Sequence, residues 1–217
     1  MSASKKREWT KRIAIYVLGT IVMAFGIAMT IRADIGVAPG GAIPYAVSKF
    51  VPLTIGQCSA LFYVFCILAQ LAITRRPELK LIFQFPLAYI FGMLLDFFYA
   101  MLDISFPGIS HRVLFLIAGL VIFSLGIRAV VGANILLAPP DGLARAIGNS
   151  FGWQMSKAKL IFDITATAIA AILTLILAGD PFIAVGVGTV ICAIGTGPAI
   201  GLYTKLFPFL DFDNTPK

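Results

Sequence analysis

Six apolar runs of about twenty residues restrict the fold more than any other feature of this sequence. They cover roughly Ile13 to Ala33, Ile55 to Thr74, Leu81 to Leu102, Val113 to Ala133, Leu160 to Ala178 and Phe182 to Phe207. At 1.5 Å per helical residue each can cross ~30 Å of hydrocarbon, where a helix satisfies every backbone polar group within its own segment. The expected fold is an all-α integral membrane protein with six transmembrane helices. Composition agrees, with 59% hydrophobic and 12% charged residues against about 25% charged in soluble domains.

A net charge of +7 would raise nucleic acid as a partner in a soluble protein, but here the basic residues lie between apolar runs, so none is expected. The first run follows Lys5, Lys6, Arg7, Lys11 and Arg12 as a signal peptide would. Its length and the lack of a small-residue cleavage site mark a retained helix instead. With the N-terminus inside, fourteen of the seventeen Lys and Arg residues fall on the cytoplasmic side. The exceptions are Arg32, Lys49 and Arg112, so both termini are expected in the cytoplasm.

Two segments too short to cross, Ala38 to Phe50 and Pro139 to Ser150, follow the first and fourth runs. They belong to a duplication. At an offset of one hundred, Arg12, Gly19, Gly26-Ile27, Ala33, Ile35, Ala38-Pro39 and Ala46 recur as Arg112, Gly119, Gly126-Ile127, Ala133, Ile135, Ala138-Pro139 and Ala146. Nine identities in thirty-five positions carry weight because glycine and proline answer backbone needs rather than hydrophobicity. The expected organisation is one polytopic domain over residues 1–217, with repeats at about 12–105 and 112–208 and short cytoplasmic tails at 1–11 and 209–217. Because each repeat crosses three times, the copies are expected to be inverted, each with a short Pro-started helix that is re-entrant or interfacial. Gly92 and Gly197 correspond in the third spans. Small residues there favour close helix packing and leave open a homodimer.

Proline at a first helical turn loses no hydrogen bond, so Pro39 and Pro139 read as helix starts. Gly40 and Gly41 leave the first start uncovered, and Asp141 follows the second. Free N–H groups there suit an anion or the carbonyl of a polar solute. Ionisable groups inside spans are costly and functional by default, which singles out Asp96, Arg128 and Asp163. Arg128 and Asp163 stand at similar depth and are expected to pair, as a helix lock or as a pair that substrate or a proton loosens. Asp34 and Asn134 precede the short helices as turn residues or site lining. Gln57 and Gln84 are expected to bridge helices, and Lys157 and Lys159 to reach the headgroups.

No enzyme is expected. His111 is the sole histidine, no H-E-x-x-H or G-x-S-x-G occurs, and the glycines of Gly186 to Pro198 lack the preceding strand of a nucleotide loop. Cys58, Cys66 and Cys192 are spaced as core residues rather than metal ligands. Neither a cofactor nor a metal is expected.

The stretch "ADIGVAPGGAIPYAVSKFVPLTIG" from Ala33, with "APPDG" from Ala138 and "GVGTVICAIGTGP" from Gly186, resembles the YczE/YyaS/YitT-like family of bacterial membrane proteins. The likeness extends from the first span to the last. It implies a multi-pass protein of the inner (cytoplasmic) membrane and little chemistry, since members are generally described as uncharacterised. An aromatic and an acidic residue commonly follow the first-copy proline in that family, where this chain has Gly40 and Gly41, leaving Asp141 as the acidic residue at a helix start.

The residues point to a secondary transporter or facilitator for a small polar or anionic solute, coupled or not to protons or another ion. Its expected lining is Asp34, Pro39, Gly40, Gly41, Asp96, Arg128, Asn134, Pro139, Asp141 and Asp163. A non-catalytic membrane subunit, capturing substrate for or scaffolding another protein, is the alternative. A channel ranks third, because the spans offer few polar side chains.

Overall fold

The computed structural model describes residues 3–75, 79–210 and 212. Arg76, Lys217 and most of the expected C-terminal tail lie outside the described residues. The helices are α1 (Ala3–Arg32), α2 (Ala42–Ser48), α3 (Ile55–Thr74), α4 (Leu79–Met101), α5 (Ile109–Ala133), α6 (Pro139–Phe151), α7 (Met155–Ala178) and α8 (Val187–Leu206). Short 3-10 turns occupy Pro39–Gly41, Pro181–Ile183 and Pro208–Leu210. Six helices are long and apolar enough to cross a membrane: Lys6–Arg32, α3, Leu81–Met101, α5, α7 and α8.

Two boundaries depart from the sequence reading. The sixth span starts at Val187 instead of Phe182, because Asp180 accepts from the Phe182 amide and Pro181 opens a 3-10 turn. Pro39 likewise opens a 3-10 turn, with the α-helix delayed to Ala42, whereas Pro139 starts an α-helix directly.

The centre of the molecule is the crossing of α1 and α5, and glycine makes it possible. A Cβ on Gly26 would stand 2.6 Å from the Phe123 Cα, and one on Gly126 2.5 Å from the Met23 amide nitrogen. At the ends, a Cβ on Gly19 would lie 2.8 Å from the Ala129 Cβ, and one on Gly119 2.8 Å from the Met29 Cβ. Rising numbers on one helix meet falling numbers on the other, so the pair is antiparallel. The contacts also exchange under the offset of one hundred: 26 with 123 becomes 126 with 23. Close backbone approach through small residues is how helices associate in lipid, where the hydrophobic effect gives no preference for protein over acyl chains.

Around this crossing α4 packs on α1 and α8 on α5, while α2 packs on α3 and α7, and α6 on α7 and α3. α3 and α4 close tightly where Gly56 meets the Gly92 carbonyl. Among the described residues α7 and α8 make no comparable packing. Asp34 and Asn134 end α1 and α5 in left-handed conformation, at φ 53° and 48°, which Asp and Asn tolerate better than other side-chain residues.

Candidate functional site

Each short helix begins after an extended stretch held by a polar side chain from a long apolar helix. The Thr189 hydroxyl of α8 accepts from the Val37 amide at 3.2 Å, and the Gln84 side chain of α4 donates to the Leu137 carbonyl at 3.1 Å. Gln84 thus bridges elements as expected, jointly with Gln70, whose Nε2 donates to the Pro139 carbonyl at 3.0 Å. Gly142 packs against Gln70 so closely that a Cβ would collide with its amide. Fixing the carbonyl of Pro139 aims the first turn of α6.

What that turn meets is Lys159. Its ammonium lies 2.8 Å from Asp141 Oδ1 on α6 and 2.9 Å from Asp163 Oδ1 one turn along α7. A Cβ on Gly40 would stand 3.8 Å from the same nitrogen. Both helix starts therefore converge on one cation held between two carboxylates, and Gly40 offers it no side-chain barrier. The three side chains are 34%, 25% and 24% exposed, half-sheltered rather than sealed. Two carboxylates against one ammonium leave the trio at −1, and the positive end of α6 offsets part of that at Asp141.

Lys159 is the residue the sequence reading missed. At the end of an apolar run it reads as a side chain bound for the headgroups, an expectation the structure corrects. Its signal was the i, i+4 spacing to Asp163, which puts both on one helix face. Lys157 turns the other way, its ammonium 5.0 Å from the centre of the Trp153 ring.

The expected pairing of Arg128 with Asp163 is likewise corrected. Asp163 is taken by Lys159, and α5 and α7 do not pack side by side. Arg128 instead points its Nη1 toward the Leu210 carbonyl at 3.5 Å, where the C-terminal segment folds back and the Phe212 amide donates to Gly132.

The remaining sequence candidates are dispersed. Asp96 caps another helix: it accepts from the Thr54 hydroxyl and, at 2.7 Å, from the Gly56 amide at the start of α3. Gln57 joins Thr54 in a capping box there instead of bridging helices. Asp34 pairs with Arg112 at 3.0 Å, and Asn134 caps α5. The structure thus gathers Gly40, Asp141 and Asp163 around Lys159, with Pro39, Gly41 and Pro139 in the turns that carry them. Asp34, Asp96, Arg128 and Asn134 lie elsewhere.

A cavity of about 30 Å³ bounded by Tyr16, Tyr63, Gln84, Phe91 and Pro139 adjoins the second helix start. It accommodates water rather than a solute. A larger groove of about 330 Å³ runs outside α3 and α4, past Gly56, Gln57, Tyr89 and Gly92, away from the charged trio. On the short helix α2, burial pushes the Tyr45 hydroxyl above its ordinary pKa. Among the described residues no group of three or more His, Cys, Asp or Glu side chains could hold a metal.

Comparison with known proteins agrees with a membrane protein. The family described as "Family of unknown function (DUF6198)" matches residues 10–205. The chain is 27% identical over 194 residues to the uncharacterized membrane protein YczE of Bacillus subtilis, covering 88% of this chain and 85% of that one. It is 25% identical over 179 residues to the uncharacterized protein YyaS of the same organism, covering 81% and 84%. No solved structure matches the chain. The chain belongs to the DUF6198 family, and with it to the YczE/YyaS-like group of membrane proteins whose motifs it carries.

Proposed function

We propose that the protein is a secondary transporter or facilitator for a small polar or anionic solute, built as two inverted repeats with the site between them. The observation that carries this reading is the convergence of the Pro39 and Pro139 helix starts on Lys159, held by Asp141 and Asp163. Charges in a spanning segment are costly enough to persist chiefly where something uses them. Interrupted helices from two repeats are a recurring way to build a carrier site at mid-membrane.

Support for the inverted repeat comes from the contacts that exchange under the offset of one hundred at the α1–α5 crossing. The swapped packing of each short helix on the other half's second span supports it further. A carboxylate or phosphate on the solute competes with Asp141 and Asp163 for the Lys159 ammonium, and Gly40 puts no side chain in its way. The excess of basic residues on one side supports both termini being cytoplasmic. The protein acts without catalysis, and lipid and solute are its partners.

The test is uptake of a panel of amino acids, carboxylates and inorganic anions into proteoliposomes, with and without a proton gradient. Uptake of at least one solute is expected, abolished in Lys159→Met and strongly reduced in Asp163→Asn. No uptake of any panel member would overturn the proposal. So would uptake that both variants leave intact.

A further inference from the structure

The two halves differ in one packing relation. α3 closes on α4 through Gly56 and Gly92, whereas their counterparts α7 and α8 make no comparable contact. Equivalence is fixed at both ends of these helices. Thr54 and Gln154 both precede the second spans in extended conformation, and Gln84 and Thr189 hold residues 137 and 37. The first match sets Ser156 and Leu160 as the counterparts of Gly56 and Ala60. The second, an offset of 105, sets Gly197 as the counterpart of Gly92 and Gly201 as that of Asp96.

Gly92 is filled by Gly56 and Ala60, but a Cβ on Gly197 or Gly201 would meet nothing within 4 Å. Leu160 is likewise exposed. The second half therefore holds, unused, the glycine face that the first half uses.

We propose that α7 closes on the Gly197 face of α8 in a second conformation, in which α3 releases α4. This rests on the inverted-repeat reading above and adds the moving elements to it. Exchange of packing between halves turns the present structure into its counterpart across the membrane plane, and Lys159 and Asp163 travel with α7. The release step opposes the Asp96 cap on α3, because Asp96 rides on α4 while its donors belong to the start of α3. Gly201 supplies no such latch in the second half, so the α3–α4 closure is the favoured one.

The test is disulfide trapping in the full chain, reconstituted in lipid vesicles. Leu160→Cys with Gly197→Cys is compared with Leu160→Cys with Leu202→Cys, because the first-half counterpart of Leu202 is the exposed Phe97. A disulfide needs Cα atoms within about 7 Å, and the native cysteines are buried, so mass spectrometry of linked peptides identifies the bond. The 160–197 bond is expected to form under mild oxidation and the 160–202 bond is not. Adding Asp96→Asn is expected to speed 160–197 trapping about fivefold, by shifting the population toward the second state. Trapping no faster than in the control pair overturns the proposal, as does a rate indifferent to Asp96→Asn. A trapped pair in a protein that moves no solute keeps the closure and removes the carrier reading; uptake without trapping does the reverse.

Discussion

One substitution, glycine to alanine, is expected to have opposite effects at Gly26 and Gly197. At Gly26 the new methyl would lie 2.6 Å from the Phe123 Cα and 2.8 Å from the Gly119 carbonyl oxygen, where ordinary contact begins near 3.4 Å. Neither atom can swing aside, since both are backbone, so α1 and α5 must part by roughly 1 Å in an interior packed as densely as a crystal. Overpacking of this kind costs about 1–3 kcal/mol, and alanine returns about 1 kcal/mol of helix propensity. The net loss is about 1 kcal/mol, which for a chain of this size lowers Tm by about 2–4 °C. Gly126→Ala, 2.5 Å from the Met23 nitrogen, should fall by the same amount. Gly197→Ala meets nothing, keeps the propensity gain, and should rise by about 2–4 °C. Purified protein melted with a thiol-reactive dye reads this out, because Cys58, Cys66 and Cys192 are buried until unfolding. Shifts of the same sign at Gly26 and Gly197 would refute the reasoning about the crossing.

Lys159→Met leaves Asp141 and Asp163 facing each other without a cation, so it should destabilise more than the double variant Lys159→Met/Asp163→Asn; a double-mutant cycle in the same melt checks for coupling of about 1–3 kcal/mol. Asn134→Val forces a β-branched residue into φ 48° and should cost about 1–2 kcal/mol more than Asn134→Gly, which loses the same side chain but suits the angle, both read as Tm. Gln70→Leu removes the side-chain donor to the Pro139 carbonyl, which keeps its bond within α6, and should cost about 0.5–1.5 kcal/mol, with a larger proportional loss of uptake than Asn134→Val because the first turn of α6 is no longer aimed.

The spans were legible in the sequence because lipid imposes a length and a polarity that side-chain order alone satisfies. Ile55–Thr74 agrees with the expected run at both ends. Pro139 was legible as a helix start because its fixed φ and missing N–H act locally. The partner of each charge was not. Asp96 reads as a functional charge within a span, and only the approach of α4 to the start of α3 makes it a cap. Lys159 looked like a headgroup anchor, and only α6 brings Asp141 to it. Such pairings depend on which helices become neighbours, and nearly uniform apolar faces carry little record of that choice. The trio is also absent from the first half, where Gly41, Ser59 and Tyr63 stand one hundred residues before Asp141, Lys159 and Asp163.

The α1–α5 crossing has a consequence for how the chain is made. The glycine face of α1 has its partner one hundred residues downstream, so at roughly 5–20 residues per second α1 waits about 5–20 s in the bilayer before α5 leaves the ribosome. Until then Gly19 and Gly26 are bare to lipid and to any passing helix with a small-residue face. A nascent chain halted after α4 should therefore be the form most open to wrong associations and to membrane proteases, and release of α5 should end that exposure in one step.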